Sequence, residues 1–275
     1  MSEPSPEAAA DAAPAVDCHA HVFLRSLAFA DGRRYTPGYD APIDAYLARL
    51  DRHGLSHGVL VQPSFLGTDN SYMVEALAAH PRRLRGIAVV PVDMPPVELR
   101  ALDRRGVVGI RLNLLGQPVP AFDTPAWRRH LADVAALDWQ VEVQAEAGRL
   151  PRILPALLDA GVRVVIDHFG KPDPAQGIDD PGFRYLLTTG DSGRVWVKLS
   201  GAYRNGDPKI AGDAASLLRA SFGLERLLWG SDWPHTQFED RMGFGRAREA
   251  LDRWLPDPAE RRIVLGETAV RLFRF

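Results

Sequence analysis

Short apolar runs alternate with stretches of helical character along nearly the whole of this 275-residue chain, and few folds accept such a pattern. Most runs are almost continuously hydrophobic, as is expected of parallel strands that are buried on both faces. The eight runs are 15–21, 58–64, 85–91, 106–113, 139–145, 162–168, 194–200 and 226–232. Eight strand-then-helix units predict a single-domain α/β fold, the closed (β/α)8 TIM barrel.

The stretches between the runs carry the start and stop signals of helices. Thr124 precedes a proline, an arrangement that favours an N-cap followed by the first helical residue. Gly54 and Gly161 follow helical patterns at the position where helices commonly end in a left-handed residue. An open doubly wound sheet is the alternative fold, but no GxGxxG loop follows the first run.

Composition limits the domains and the partners that the chain can have. Residues 1–15 are rich in Ala, Pro and Glu and do not resemble a signal peptide, so we expect a disordered lead-in before one domain at 16–275. The formal net charge of −2 favours neither nucleic acid nor an anionic membrane as a partner. No apolar run reaches the roughly 18 residues of a membrane span. The single cysteine excludes an intrachain disulfide and indicates a reducing, cytoplasmic environment.

Ionisable residues cluster at the ends of the predicted strands, where TIM barrels carry their chemistry. His19 and His21 form an HxH pair in the first run, and the two-residue period of a strand places both on one face. Such a pair can bind a divalent metal or polarise a carbonyl group. Two structurally satisfied histidines are the alternative interpretation.

Three further strand ends carry candidate functional groups. Asp232 ends the eighth run and could take a proton from an attacking water, or could cap a turn. His168 ends the sixth run and is either functional or a hydrogen-bonded core histidine. Arg111 lies in the buried fourth run and needs an anion there, which is either Glu142 or a substrate carboxylate.

The strand-end motifs resemble a known family when they are taken together. In chain order they are DCHAHVF, VQPSFLGTDN, GIRLN, IDHFGKP, KLSGAYR and WGSDWPH. This set resembles the lactonase branch of the amidohydrolase superfamily and is most similar to the 2-pyrone-4,6-dicarboxylate hydrolases. The similarity runs from about Val16 to the C-terminal RLFRF. It implies a hydrolase that opens a small carboxylated lactone.

The resemblance also implies roles for particular residues. The implied catalytic residues are His19, His21, His168 and Asp232. Asp232 is expected to activate water, and the histidines are expected to stabilise the oxyanion. The implied substrate-binding residues are Ser64, Arg111 and Arg204, and their positions at strand ends add Asn113 and Tyr203. A solvated surface arginine is the alternative for Arg204. The dicarboxylate hydrolases carry a second arginine shortly after the fourth-strand one, whereas the stretch LLGQPVPAFD has none.

The expected cofactor follows from two positions. Metal-dependent relatives usually have a lysine on the fourth strand or a histidine on the fifth, where this chain has Arg111 and Glu142. We therefore expect no required cofactor and a small carboxylated lactone as the partner. The alternative is one zinc ion on His19, His21 and Asp232, in a decarboxylase or another hydrolase of the superfamily. A non-catalytic barrel that binds sugar acids is a third hypothesis.

Overall fold

The computed structural model describes residues 13–275, which form one sheet of eight parallel strands with helices between them. Each strand pairs with the next along the chain, from first to last. The strands are β1 Val16–Ala20, β2 His57–Val61, β3 Leu84–Ala88, β4 Val107–Asn113, β5 Gln140–Gln144, β6 Arg163–Ile166, β7 Val195–Leu199 and β8 Leu227–Trp229. All eight coincide with predicted runs, and the TIM-barrel prediction is confirmed.

Helices connect the strands and cover the outside of the sheet. They are α1 Ile43–Arg52, α2 Ser71–Ala79, α3 Pro96–Asp103, α4 Pro125–Ala136, α5 Leu150–Asp159, α6 Pro181–Leu187, α7 Pro208–Phe222, α8 Phe244–Trp254, α9 Pro258–Arg262 and α10 Thr268–Phe273. The Thr124 side chain accepts a hydrogen bond from the backbone of Trp127, so the predicted N-cap is confirmed. Gly54 and Gly161 have φ of 67° and 81°, as their places at helix ends require.

The first and last strands meet through backbone hydrogen bonds that lie beyond the end of β8. The amide of Asp232 donates to the carbonyl of His19 over 2.8 Å. The amide of His21 donates to the carbonyl of Trp233 over the same distance. The seam of the barrel therefore joins the two segments that carry the HxH pair and the candidate base.

A register shift in β1 separates residues that a regular strand would place together. The pairing with β2 is interrupted between Asp17 and Ala20. Asp17 accepts a hydrogen bond from Tyr46 of α1 over 3.1 Å, so it faces the helical layer. His19 faces the barrel interior, where it lies 3.2 Å from Asp167. Asp17 thus belongs to the support of the site, although it is two residues from His19, a spacing that a regular strand would place on the same face.

The barrel interior is layered. Its lower part is an apolar cluster that α10 closes from below, made of Val16, Cys18, Val59, Val61, Ile87, Val108, Val165, Leu228, Ala269, Leu272 and Phe273. A larger apolar core lies between the sheet and the helices. Burial of both faces explains why the strands read as continuous hydrophobic runs. The buried ionisable side chains of the site, among them Glu142 of β5 and Lys198 of β7, come from the strands and from the residues that follow them.

The predicted lead-in at 1–15 lies outside the described residues except for its last three. Of these, Ala15 donates its amide to the Ser56 hydroxyl over 3.0 Å. Among residues 13–275, none of the helices combines the length and the apolar character that crossing a membrane would need.

The seam allows little room beside His19, and this gives a test of the packing. A Cβ added at Gly230 would lie 2.6 Å from the Cβ of His19. We expect Gly230→Ala to lower the free energy of unfolding by about 1–3 kcal/mol, the usual cost of overpacking. Gly212→Ala is the control, because nothing lies within 4 Å of its added Cβ in α7. Urea unfolding of both variants checks this, and equal stability of the two would contradict it.

Candidate active site

A cavity of about 190 Å³ opens at the carboxyl ends of the strands. Its lining includes seven of the predicted site residues, namely His21, Ser64, Arg111, Asn113, His168, Arg204 and Asp232. The two others, His19 and Tyr203, lie behind the cavity wall and contact Asp232. The position agrees with the rule that TIM barrels place their sites at this end.

The floor of the cavity brings the HxH pair to the carboxylate of Asp232. The Oδ1 atom of Asp232 lies 3.8 Å from Nε2 of His19 and 3.9 Å from Nε2 of His21. The His19 ring centre is 4.9 Å from that of His21 and equally far from that of His168. All four side chains are buried. The four residues expected to form the reaction centre are therefore neighbours.

A network of buried charges lies directly beneath His19. Lys198 of β7 contacts the Glu142 carboxylate of β5 and lies 3.1 Å from Nδ1 of His19. Asp167, just after β6, lies 3.2 Å from the same nitrogen and 3.2 Å from Nη2 of Arg111. Two cations and two carboxylates thus neutralise one another inside the barrel, as buried charges must.

The network favours the charged form of His19. Burial disfavours the imidazolium form, the charge of Asp167 favours it and that of Lys198 disfavours it. With the hydrogen bonds to Asp167 and Glu142, the pKa of His19 is raised above its usual value. In turn, His19 and Lys198 hold the pKa of Asp167 well below its usual range, against the effect of burial. A charged His19 presents an N–H at Nε2, the atom that points towards Asp232 and has no hydrogen-bond partner among the described residues.

His21 differs from His19 in its protonation and in its hydrogen-bonding role. Its Nδ1 lies 2.7 Å from the carbonyl oxygen of Val61, which can only accept, so Nδ1 carries the hydrogen. Burial, followed by the charges of His19 and Arg111, lowers the pKa of His21 well below its usual value. The ring is therefore neutral, and its Nε2 offers a lone pair. The expectation that His21 donates to an oxyanion does not fit this arrangement, in which it accepts.

His168 and Asp232 share an unusual backbone conformation. Both have positive φ, of 53° and 60°, which is uncommon for residues other than glycine and often marks functional sites. Burial lowers the pKa of His168 to about 3, so its imidazole is neutral. Its Nδ1 lies 3.0 Å from the Ser200 hydroxyl. When Ser200 donates this hydrogen bond, Nε2 of His168 carries an N–H.

The second oxygen of Asp232 is already occupied. Its Oδ2 accepts from Nε of Arg204 and from the hydroxyl of Tyr203, each over 2.6 Å. Against burial, the guanidinium of Arg204 holds the pKa of Asp232 well below its usual range. Asp232 is thus ionised, with Oδ2 anchored and Oδ1 free. Tyr203, which the sequence suggested as a substrate contact, binds Asp232 instead.

Arg111 has features of both roles that the sequence left open, which are a substrate clamp and a structural ion pair. It lines the cavity, as a substrate clamp would. Its guanidinium also lies 3.2 Å from Asp167 and 3.9 Å from Glu142, so a structural pairing is present as well. Asp167 is its nearer carboxylate.

Two functional candidates had no role in the sequence interpretation. Lys198 could have been recognised, because a lysine within an apolar strand must find a buried anion. Arg34 lines the cavity from the loop after β1, and no periodicity or motif indicates where such a loop residue will lie.

The same floor could hold a divalent metal. His19, His168 and Asp232 offer ligand atoms within 4.8 Å of one another. Nε2 of His19 and Oδ1 of Asp232 are buried and have no partner among the described residues, as ligand atoms would be without their ion. The donor set of imidazole and carboxylate suits zinc. The residues therefore fit a metal as well as a network of proton donors and acceptors.

Comparisons with known proteins agree with this geometry. The chain is 34% identical over 266 residues to a 4-sulfomuconolactone hydrolase of Rhizobium radiobacter, covering 94% of this chain and 89% of that one. It is 32% identical to a 2-pyrone-4,6-dicarboxylate hydrolase of Comamonas testosteroni, covering 84% and 80%. A crystal structure of a probable 2-pyrone-4,6-dicarboxylic acid hydrolase from Acinetobacter baumannii, with citric acid bound, superposes with a TM-score of 0.92. That comparison has 41% identity and covers 95% of this chain and 99% of that one.

Ionisable side chains from most of the strand ends meet over one cavity, which defines an enzyme of the (β/α)8-barrel class. Within that class, the model of the amidohydrolase family matches residues 16–275. The chain belongs to this family, and the resemblance identified in its motifs is confirmed.

The buried network predicts a strong effect of one substitution. Lys198→Met removes the cation that faces Glu142 and Asp167, and we expect a loss of about 3–5 kcal/mol in the free energy of unfolding. Lys209→Met is the matched control, because Lys209 is exposed and pairs only with Asp213 of the same helix. The control should leave the melting temperature unchanged. Similar melting temperatures for the two variants would contradict the role of Lys198.

Proposed function

We propose that this chain hydrolyses the ester bond of a small lactone that carries an acidic group. The proposal rests on Asp232, which is ionised and has one oxygen without a hydrogen-bond partner among the described residues. This oxygen faces Nε2 of His19, a donor, and Nε2 of His21, an acceptor, below a cavity lined by arginines. The relatives named above act on lactones with acidic substituents, which supports the same substrate class here. The cavity is smaller than the roughly 300–1,000 Å³ of pockets for drug-sized ligands, which also favours a small substrate.

The attacking water lies between Asp232 and His21. Oδ1 of Asp232 and Nε2 of His21 are both acceptors, and their separation of 3.9 Å suits a water that donates one hydrogen to each. Asp232 takes a proton as the water oxygen bonds to the lactone carbonyl carbon. The same proton then passes to the ring oxygen as the ring C–O bond breaks. The products are a second carboxylic acid group and a hydroxyl group.

Two N–H groups stabilise the negative charge that forms on the carbonyl oxygen. The first is Nε2–H of His19, kept charged by Asp167, and the second is Nε2–H of His168, set by Ser200. Donors fixed before the reaction cost little reorganisation, and each is worth about 10²–10³ in rate. The buried network beneath His19 thereby contributes to catalysis without touching the substrate.

The acidic group of the substrate binds at the arginines. Arg111 and Arg204 line the cavity, together with Ser64 and Asn113, and present planar donors that suit a carboxylate. A lactone without an acidic group makes no charge-assisted hydrogen bond to these arginines, which lowers its affinity. A location in the cytoplasm accords with the single cysteine, and the oligomeric state is left open.

A metal-dependent reaction of the same family is the second candidate. The unpartnered Nε2 of His19 and Oδ1 of Asp232 favour it. Zinc held by His19, His168 and Asp232, with His21 nearby, would act as a Lewis acid and lower the pKa of a bound water. A charged His19 has no lone pair for a metal, so the protonation of this one residue separates the two candidates.

The general base gives the first test. We expect Asp232→Asn to lower kcat by about 10²–10⁴-fold, because the amide cannot accept the proton. Substrate binding should remain, since Arg111 keeps its contact with Asp167 and the side-chain oxygen of Asn can still accept from Arg204. The measurement is proton release on a panel of carboxylated lactones, with binding followed by calorimetry. Turnover near that of the unaltered protein would remove Asp232 from the mechanism.

Metal removal gives the second test. We expect the protein to keep most of its activity after dialysis against EDTA, because hydrogen-bond donors stabilise the oxyanion. Metal content measured by mass spectrometry should fall without a parallel loss of turnover. Activity that disappears and returns with one equivalent of Zn²⁺ would instead support the metal-dependent candidate.

A further inference from the structure

Arg34 reaches the cavity from outside the barrel. It lies in the loop between β1 and α1, at residues 21–42, and lines the cavity beside the arginines of the strand ends. Its Nη2 donates to Oδ1 of Asn113, at the end of β4, over 3.0 Å. This neutral partner orients the guanidinium and leaves its charge uncompensated.

The three guanidiniums of the cavity differ in their charge partners. Arg111 lies 3.2 Å from Asp167, and Arg204 lies 2.6 Å from Asp232. Within residues 13–275, no carboxylate lies within 4.0 Å of the Arg34 guanidinium. Glu146, the acidic residue in its vicinity, accepts from Gly116 and Arg149.

The surroundings of Arg34 disfavour its charge. Burial and then the neighbouring Arg111 lower the pKa of Arg34, and Glu146 offsets this only in part. An arginine stays protonated at neutral pH, so the repulsion persists as unfavourable energy. An anion bound between Arg34 and the other arginines would relieve it.

The loop holds Arg34 in place before any ligand arrives. The hydroxyls of Tyr35 and Tyr39 donate to the same Oε1 of Glu239, over 2.9 and 2.6 Å. Glu239 belongs to the loop between β8 and α8, so this contact, the tyrosine latch, joins the two loops that flank the cavity. The Phe65 ring packs edge-on against Tyr35 from another side. A side chain presented by such a fixed loop loses little entropy when it binds a ligand.

We infer that Arg34 is a ligand-binding residue that holds an acidic group of the substrate, in addition to the group held by Arg111 and Arg204. Arg34 has this role because it is the one arginine of the cavity without a carboxylate partner among the described residues. Its place on the β1–α1 loop compensates for the absence of an arginine in the stretch after β4. The identity of the ligand rests on the proposed function, whereas the role of Arg34 is tested by binding alone.

The test compares two probes that cannot react. Isophthalate has two carboxylates in a 1,3 arrangement on a planar six-membered ring, and benzoate has one. Calorimetric titration should show that the unaltered protein binds isophthalate about tenfold more tightly than benzoate, the scale of one charge-assisted hydrogen bond. Arg34→Gln should abolish this difference and leave benzoate binding unchanged. Arg34→Lys should retain part of it.

The control is the neighbouring arginine of the same loop. Arg33 bonds to Thr36 and to the backbone of Ala30 and does not line the cavity, so Arg33→Gln disturbs the loop but not the proposed contact. It should preserve the preference for isophthalate. Equal effects of the Arg33 and Arg34 substitutions would overturn the inference, as would an unaltered protein without the preference. If the protein opens no lactone but the preference depends on Arg34, the proposed function fails and the role of Arg34 stands.

Discussion

The pairing of Lys198 with Glu142 and Asp167 inside the barrel is the contact on which the site depends. The lower half of the interior is apolar, so the charges above it have no water and must satisfy one another. Because Asp167 serves Lys198, Arg111 and His19 at once, the position of each cation depends on the others. The network therefore decides both the stability of the upper barrel and the protonation of the histidine at the cavity floor.

Three imidazoles lie within a few ångströms of one another, yet their partners give them different chemistry. His19 contacts carboxylates that raise its pKa, whereas His21 contacts a carbonyl and presents a lone pair. His168 contacts a hydroxyl, and when this hydroxyl donates to Nδ1 the ring carries its hydrogen on Nε2. The group that each ring contacts at Nδ1 therefore decides whether its Nε2 donates or accepts a hydrogen bond. The identity of the residue alone would not distinguish the three histidines.

The sequence predicted the barrel well because the burial of parallel strands on both faces leaves a strong hydrophobic signal. It also placed His19, His21, His168 and Asp232 together, since strand ends meet at one mouth. It could not place Arg34, because a loop path follows from tertiary contacts such as the tyrosine latch. Nor could it foresee that Asp17 faces the helices, because the register shift in β1 breaks the two-residue period.

The seam of the barrel has a consequence for the synthesis of the chain. Ser231 donates to the carboxylate of Asp17, 214 residues earlier, and the amide of Asp232 donates to the carbonyl of His19. The last strand to leave the ribosome is thus the one that completes both the barrel and the reaction centre. Contacts between such distant segments form late in folding. A nascent or truncated chain that lacks β8 would carry all three histidines and still be inert, so the appearance of activity would report that the barrel has closed.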